Sequence, residues 1–288
     1  MNKAILDVTQ DQLQEKSRQW WNTNPMTYDW HKSIQPPEGT REFYEAIDER
    51  FFTSSSFYQG KRLFERLIPF DRLKGKQVLE IGCGIGSHAR LLAESGGHLT
   101  CVDLTSRAVE NTRKRLQLWG LHADVRQMDA EQLDFPDGHF DFVWSWGVIH
   151  HSPNTERIIR NVRRVLKPTG EFRVMVYHRR SVSGLYCLVR GLLSGKFFQG
   201  MSVQDVLSHY TDGYLAQFYT RREFRDLLQR CGFSRVETSV LGQKSELIPL
   251  PGKGAGGYLK QALLRSLPDS VAESVLSRAG YFLFAVAR

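Results

Sequence analysis

Residues 78–86 read Val-Leu-Glu-Ile-Gly-Cys-Gly-Ile-Gly. A short apolar run that ends on three alternating glycines, followed at once by the helically spaced Ser87–Glu94, is a strand feeding a tight turn into a helix. Gly82, Gly84 and Gly86 let the backbone turn sharply and approach a ligand closely. The helix that follows aims its N-terminus at the same place. The spacing excludes two phosphate-binding loops. Counted from Gly82, the dinucleotide fingerprint G-x-G-x-x-G needs glycine at position 87, where Ser87 stands, and no Gly-Lys-Ser/Thr follows to make a P-loop. Glu80, two residues before Gly82, would repel a pyrophosphate and suits a ligand that carries an ammonium group.

The alternation continues on both sides of this turn. Gln77–Ile81, His98–Asp103, Asp124–Met128, Phe140–Trp146 and Glu171–Tyr177 read as strands, and 105–119 and 154–166 as helices. A helix over 221–231, a strand over 232–240 and a last strand over 281–287 complete the pattern. Strands alternating with helices specify an α/β fold: a Rossmann-like, seven-stranded, mostly parallel sheet with helices on both faces. Such sheets take ligands beyond the carboxyl ends of their strands. Two segments break the rhythm. Residues 1–70 carry aromatic residues in a polar background, with helices expected over 9–21, 41–50 and 58–68, and read as an N-terminal helical lid. Residues 179–220 read as a cap insertion over the active site. The core then spans 71–178, and 221–288 supplies the rest of the sheet with an insertion before its last strand.

Two further acids follow strand ends. Asp103 lies 21 residues past Gly82, where a carboxylate can accept both hydrogen bonds of a ribose diol. Asp129, beside Ala130, can accept from an exocyclic amine, and Ala130 leaves room for a flat ring. An amine, a ribose and an adenine without phosphate describe S-adenosylmethionine (SAM). The segments VLEIGCGIGSHARLLA, FDFVWSWGVIHHSPN and VRRVLKPTGEF resemble three motifs of class I SAM-dependent methyltransferases, over roughly residues 75–178, with Thr169 in place of a commoner glycine. The resemblance implies that Glu80, Gly82, Cys83, Gly84 and Gly86 contact the methionine end of SAM. It places Asp103 and Leu104 on the ribose and Asp129 and Ala130 beside adenine. Trp144, Ser145, Trp146, Gly147 and Val148 would line the pocket beneath the methyl group.

The expected activity is methyl transfer to an O, C or N atom of a small molecule, with a lipophilic acceptor or a secondary metabolite in view. No Asn/Asp-Pro-Pro-Tyr follows the fourth strand and no Pro-Cys occurs, so two nucleic-acid methylating classes lose support. The net charge of +8 would suit nucleic acid, yet the arginines at 157, 160, 163 and 164 form the outer face of a sheet-covering helix without interleaved aromatic rings. Two readings stay open: SAM-dependent cyclisation or other non-methyl chemistry on the same fold, and RNA methylation. His150, His151 and His178 are the candidate bases, histidine being the side chain that titrates near neutral pH. Tyr28, with Trp20, Trp21, Met26 and Trp30, is the candidate wall against the sulfonium, and Tyr210, Tyr214 and Tyr219 are candidates for an apolar acceptor pocket. No metal is expected. The four scattered cysteines and an N-terminus without an apolar leader suggest a cytoplasmic protein with no transmembrane segment, and a homo-oligomer is compatible with the sequence.

Overall fold

In the computed structural model the described residues are 9–28, 34–54, 58, 62–248 and 254–288. The strands are β1 (Gln77–Ile81), β2 (His98–Asp103), β3 (Asp124–Gln127), β4 (Phe140–Trp146), β5 (Leu166–His178), β6 (Phe218–Tyr219), β7 (Val236–Leu241) and β8 (Phe282–Ala287). They form one sheet in the order β3-β2-β1-β4-β5-β8-β7, with β6 paired to the end of β5. The first five strands and β6 pair in parallel, and β8 runs antiparallel between β5 and β7. The sheet therefore has eight strands where the sequence suggested seven. The addition is the two-residue β6, too short to show a period.

The helices are α1 (Gln10–Thr23), α2 (Arg41–Ser54), α3 (Ser87–Glu94), α4 (Ser106–Leu118), α5 (Thr155–Val165), α6 (Val182–Leu193), α7 (Val203–His209), α8 (Arg221–Arg230), α9 (Gly254–Ser266) and α10 (Asp269–Ala279). Several begin on the caps their sequences offer. Thr105 accepts from the Ala108 N–H, Asn154 from Arg157, and Thr220 forms a reciprocal capping box with Glu223. On α5 the apolar residues Ile158, Ile159, Val162 and Val165 are buried, while Arg157, Arg160 and Arg164 face outward. One sheet face packs against this stripe together with Phe224, Leu227 and Leu228 of α8. The other face, with Val78, Cys101, Trp144, Met175 and Tyr177, packs against the N-terminal aromatic residues and the cap.

Two boundaries differ from expectation. β5 starts at Leu166 because Leu166 pairs with Phe140 and the next pair is Phe142 with Glu171, so residues 167–170 loop out as a bulge. No helix forms over 62–68: Phe64, fully buried, holds φ at +60°, which a right-handed helix does not allow.

A buried charged cluster adds to the apolar packing that holds the N-terminal segment on the core. Arg115 of α4 has no exposed surface and pairs with Asp48 of α2 at 2.7 Å. It also donates to Ser87 Oγ of α3 and to the Tyr44 carbonyl, and its guanidinium lies 4.6 Å from the centroid of the Tyr44 ring. A buried guanidinium left without its carboxylate keeps the full desolvation cost and loses the attraction. Asp48→Ala is expected to destabilise the fold by about 3–5 kcal/mol in urea unfolding. Glu38→Ala, which breaks the half-exposed Arg107–Glu38 pair, is expected to cost under about 1 kcal/mol.

Candidate functional site

A cavity of about 360 Å³ opens at the carboxyl ends of the strands and is lined by residues from both faces of the sheet. Its near half is built by β1, β2 and β3. The turn after β1 holds Gly82, Gly84 and Gly86 at φ of +77°, +54° and +82°, all in the left-handed region that glycine enters at little cost. A Cβ on Gly82 would stand 2.2 Å from Val148 Cγ2, whereas one on Gly84 would meet nothing within 4 Å. Gly84 therefore leaves the space that a ligand against the loop would fill. Gly86 packs instead on Thr112 of α4 and does not border the cavity.

Asp103, at the end of β2, fixes this loop. Its Oδ2 accepts from the Gly84 N–H at 3.0 Å, and its Oδ1 accepts from the Thr105 N–H and Oγ1 at 2.9 and 3.0 Å. Burial raises its carboxyl above the usual range, and these donors pull it back. Leu104, Asp129, Ala130 and Cys83 also line the near half. Asp129 Oδ1 accepts from the Glu131 N–H and from Gln14 Nε2 of α1, so α1 reaches over this end.

The far half is built by β4, β5, β8 and the cap. Side chains alternate along a strand, so Trp146 on β4 and Met175 and Tyr177 on β5 reach the cavity. The same rule corrects several expectations. Ser145 and His178 point to the opposite face, and His178 Nδ1 stands 3.1 Å from the Gly280 carbonyl. Trp144 faces the right way but lies one step deeper, fully buried and stacked under Trp146 at 5.7 Å. Glu80 is also one step too deep. It is 2% exposed, and the Cys101 thiol donates to its Oε2 at 3.6 Å. Burial pushes its carboxyl up to about 8, so it is protonated at neutral pH and gives an ammonium group no charged partner.

The two adjacent histidines differ. His150 is fully buried, borders no part of the cavity, and has no hydrogen-bond partner at either ring nitrogen among the described residues. His151 lines the cavity. Its Nδ1 lies 2.8 Å from the Leu215 carbonyl, which accepts only if Nδ1 carries the proton, so Nε2 keeps a lone pair with no partner among the described residues. Burial holds His151 below the usual histidine range and therefore neutral. α1 presses on it: Ser17 Oγ donates to its carbonyl, and the Trp21 ring meets its ring edge-on at 4.9 Å.

Of the aromatic candidates, Tyr28, Trp21 and Met26 line the cavity, with Tyr28 at φ +56° and stacked on Phe51 at 4.8 Å. Trp30 lies outside the described residues. Tyr210, Tyr214 and Tyr219 do not border the cavity; the cap contributes Asp212 instead. Sequence reasoning also missed Gln243, Glu246, Tyr281 and Phe282, which arrive from the long connection before β8 and from β8 itself. No helix among the described residues is long and apolar enough to cross a membrane.

Fold and cavity together define a Rossmann-like α/β protein with a nucleoside-sized site at its glycine turn. Residues 79–174 match the family model of a methyltransferase domain. A sarcosine/dimethylglycine N-methyltransferase of Halorhodospira halochloris is 32% identical over 167 residues, 56% of this chain and 58% of that protein. A ubiquinone biosynthesis O-methyltransferase of Coxiella burnetii (strain Dugway 5J108-111) is 29% identical over 117 residues, 41% of this chain and 50% of that protein. The match thus spans about half the length of these curated relatives. Among solved structures, Haemonchus contortus phospholethanolamine N-methyltransferase 2, in complex with phosphomonomethylethanolamine and S-adenosylhomocysteine, superposes with a TM-score of 0.55 and 18% identity. That superposition covers 97% of this chain and 60% of that one, a likeness of fold. Residues 79–174 thus carry the similarity to a methyltransferase domain.

Two stability measurements probe the site. Gly82→Ala is expected to lower the urea midpoint well beyond Gly84→Ala, because only the former drives a Cβ into Val148. Glu80 keeps its proton in the fold up to about pH 8, while the unfolded chain releases it in the ordinary glutamate range. Stability should therefore fall as pH rises through that window, and the fall in Tm should be shallower in Glu80→Gln than in the parent.

Proposed function

We propose that the protein is a SAM-dependent methyltransferase acting on a small molecule, with the cofactor in the near half of the cavity and the acceptor in the far half. The observation that carries this reading is the lining of one cavity that spans the sheet. Gly82–Gly84, Asp103 and Asp129 border it from the ends of β1, β2 and β3, and Trp146, Tyr177, Tyr281 and Phe282 border it from β4, β5 and β8. The residues present fit the cofactor. Gly84 offers an open backbone cradle, and Asp103, Leu104, Asp129 and Ala130 line the cavity beside it, the first two assigned here to the ribose and the last two to adenine. Bound there, SAM supplies a sulfonium methyl to an acceptor lone pair, with the S–C electron pair staying on sulfur to give S-adenosylhomocysteine.

The chain's own contribution is positioning, exclusion of water and proton removal. Holding the reactants in line accounts for much of the rate of a displacement of this kind. α1 covers the cofactor end through Gln14 and Ser17, and Trp21, Met26 and Tyr28 shield the middle. His151 is the group placed to take a proton, through Nε2, with its tautomer set by the Leu215 carbonyl. His150 and His178 are off the cavity and have no such access.

Calorimetry on the full chain tests the reading. SAM and S-adenosylhomocysteine are expected to bind the parent protein. Gly84→Ala, whose Cβ would enter the cradle with no other atom within 4 Å, is expected to stay folded by circular dichroism and to bind both ligands more weakly than the parent. A well-folded parent that binds neither would overturn the assignment.

A further inference from the structure

The chain carries 39 lysines and arginines and a net charge of +8. None of the described lysines or arginines borders the cavity. Four carboxylates do: Asp103, Asp129, Asp212 and Glu246. The two histidines on the wall bring no positive charge either, since burial lowers His88 to about 3 and holds His151 below its usual range. Asp103 and Asp129 lie over β2 and β3, in the cofactor half. Asp212 and Glu246 lie at the other end, beyond β4, where the cofactor reading gives them nothing to do.

These two acids bracket a pair of phenol rings in contact at a tilt of 36°. Tyr177 Oη donates to Asp212 Oδ1 at 2.9 Å. The Glu246 oxygens accept the Gln243 and Tyr281 N–H groups at 2.7 and 2.9 Å. The Tyr177 and Tyr281 rings lie 4.5 Å apart, with Phe282 beside them and Trp146 5.8 Å from Phe282. Both carboxylates keep acceptor sites unspent. Burial pushes the Glu246 carboxyl up to about 7, and a cation beside it would favour the charged form. Aromatic faces beside carboxylates are the surroundings that stabilise an alkylammonium ion. In the far half an anionic acceptor would meet Asp212 and Glu246 and no described lysine or arginine. A second and independent observation points to a ligand here: His151, 5% exposed and on the same wall, keeps a buried Nε2 lone pair without a partner among the described residues.

We propose that the far half of the cavity is an acceptor site for a protonated aliphatic or arylalkyl amine carrying no carboxylate or phosphate of its own, held between Asp212 and Glu246 against the Tyr177 and Tyr281 rings. The proposal rests on the reading of the near half as the cofactor site. An ammonium nitrogen has no lone pair, so one proton must leave before transfer. The N–H bond breaks, its electron pair stays on nitrogen, and the proton passes to His151 Nε2, giving the neutral amine and a histidinium. Asp212, which faces His151 as well as Tyr177 and Tyr281, stabilises that histidinium.

The test is calorimetry on the full chain loaded with S-adenosylhomocysteine, using phenethylamine, phenethyl alcohol and phenylpropionate as matched probes. The expected result is that the amine binds at least tenfold more tightly than the other two. Asp212→Asn, which can still accept from Tyr177, is expected to weaken the amine at least tenfold and leave S-adenosylhomocysteine binding unchanged. His151→Ala is expected to retain amine binding and lose the N-methylated product. Equal binding of the alcohol or the acid, no binding of any probe at millimolar concentration, or an unchanged amine affinity in Asp212→Asn would each overturn the proposal. Absence of S-adenosylhomocysteine binding would overturn the cofactor reading and this one together, which separates the two failures.

Discussion

The site is organised around the Asp103 carboxylate. It ends β2, yet its two oxygens hold the backbone of the β1 turn, through Gly84, and the start of α4, through Thr105. One short side chain thus sets the distance between two adjacent strand ends and the direction of the helix that follows the second. Gly84 can present an open backbone to a ligand only while that bond holds it. The hydrogen bond from Thr112 Oγ1 to the Gly84 carbonyl holds the next peptide plane of the same turn. The rest of the near half is arranged around a loop that these contacts keep still.

The parts of this arrangement that are local in the chain were legible in the sequence. Strand, glycine turn, helix and Asp103 fall within 26 residues, 78–103, and each announces itself by period or by a residue type with few alternatives. Ser145 and His178 stand near strand ends without reaching the cavity, because the two-residue period of a strand turns neighbours to opposite faces. Trp146, Met175 and Tyr177 share one face, and the sequence distinguishes them from Ser145 and His178 once the sheet's sides are fixed. Glu80 and Trp144 needed depth as well as side, and depth depends on how far each strand runs before its loop.

The far half was not legible for a different reason. Asp212, Glu246 and Tyr281 come from three segments separated by more than thirty residues each, and none sits in a motif. Glu246 reaches the cavity because its carboxylate caps a short helical turn at Gln243 and clasps the first residue before β8. That is tertiary information. The antiparallel insertion of β8 between β5 and β7 brings Tyr281 against Tyr177, a neighbour relation that depends on topology rather than pattern.

The Arg115 cluster bears on how the chain can be divided. A boundary near residue 70 is natural on composition, since the aromatic segment before it and the alternating segment after it look like separate pieces. The guanidinium is carried by the second piece, and its counter-charge by the first. Neither piece completes this ion pair alone: cutting there would leave Arg115 without its carboxylate and strip away the Tyr44 and Asp48 side of its enclosure. The pair thus couples the stability of α2 to that of the helix beneath it.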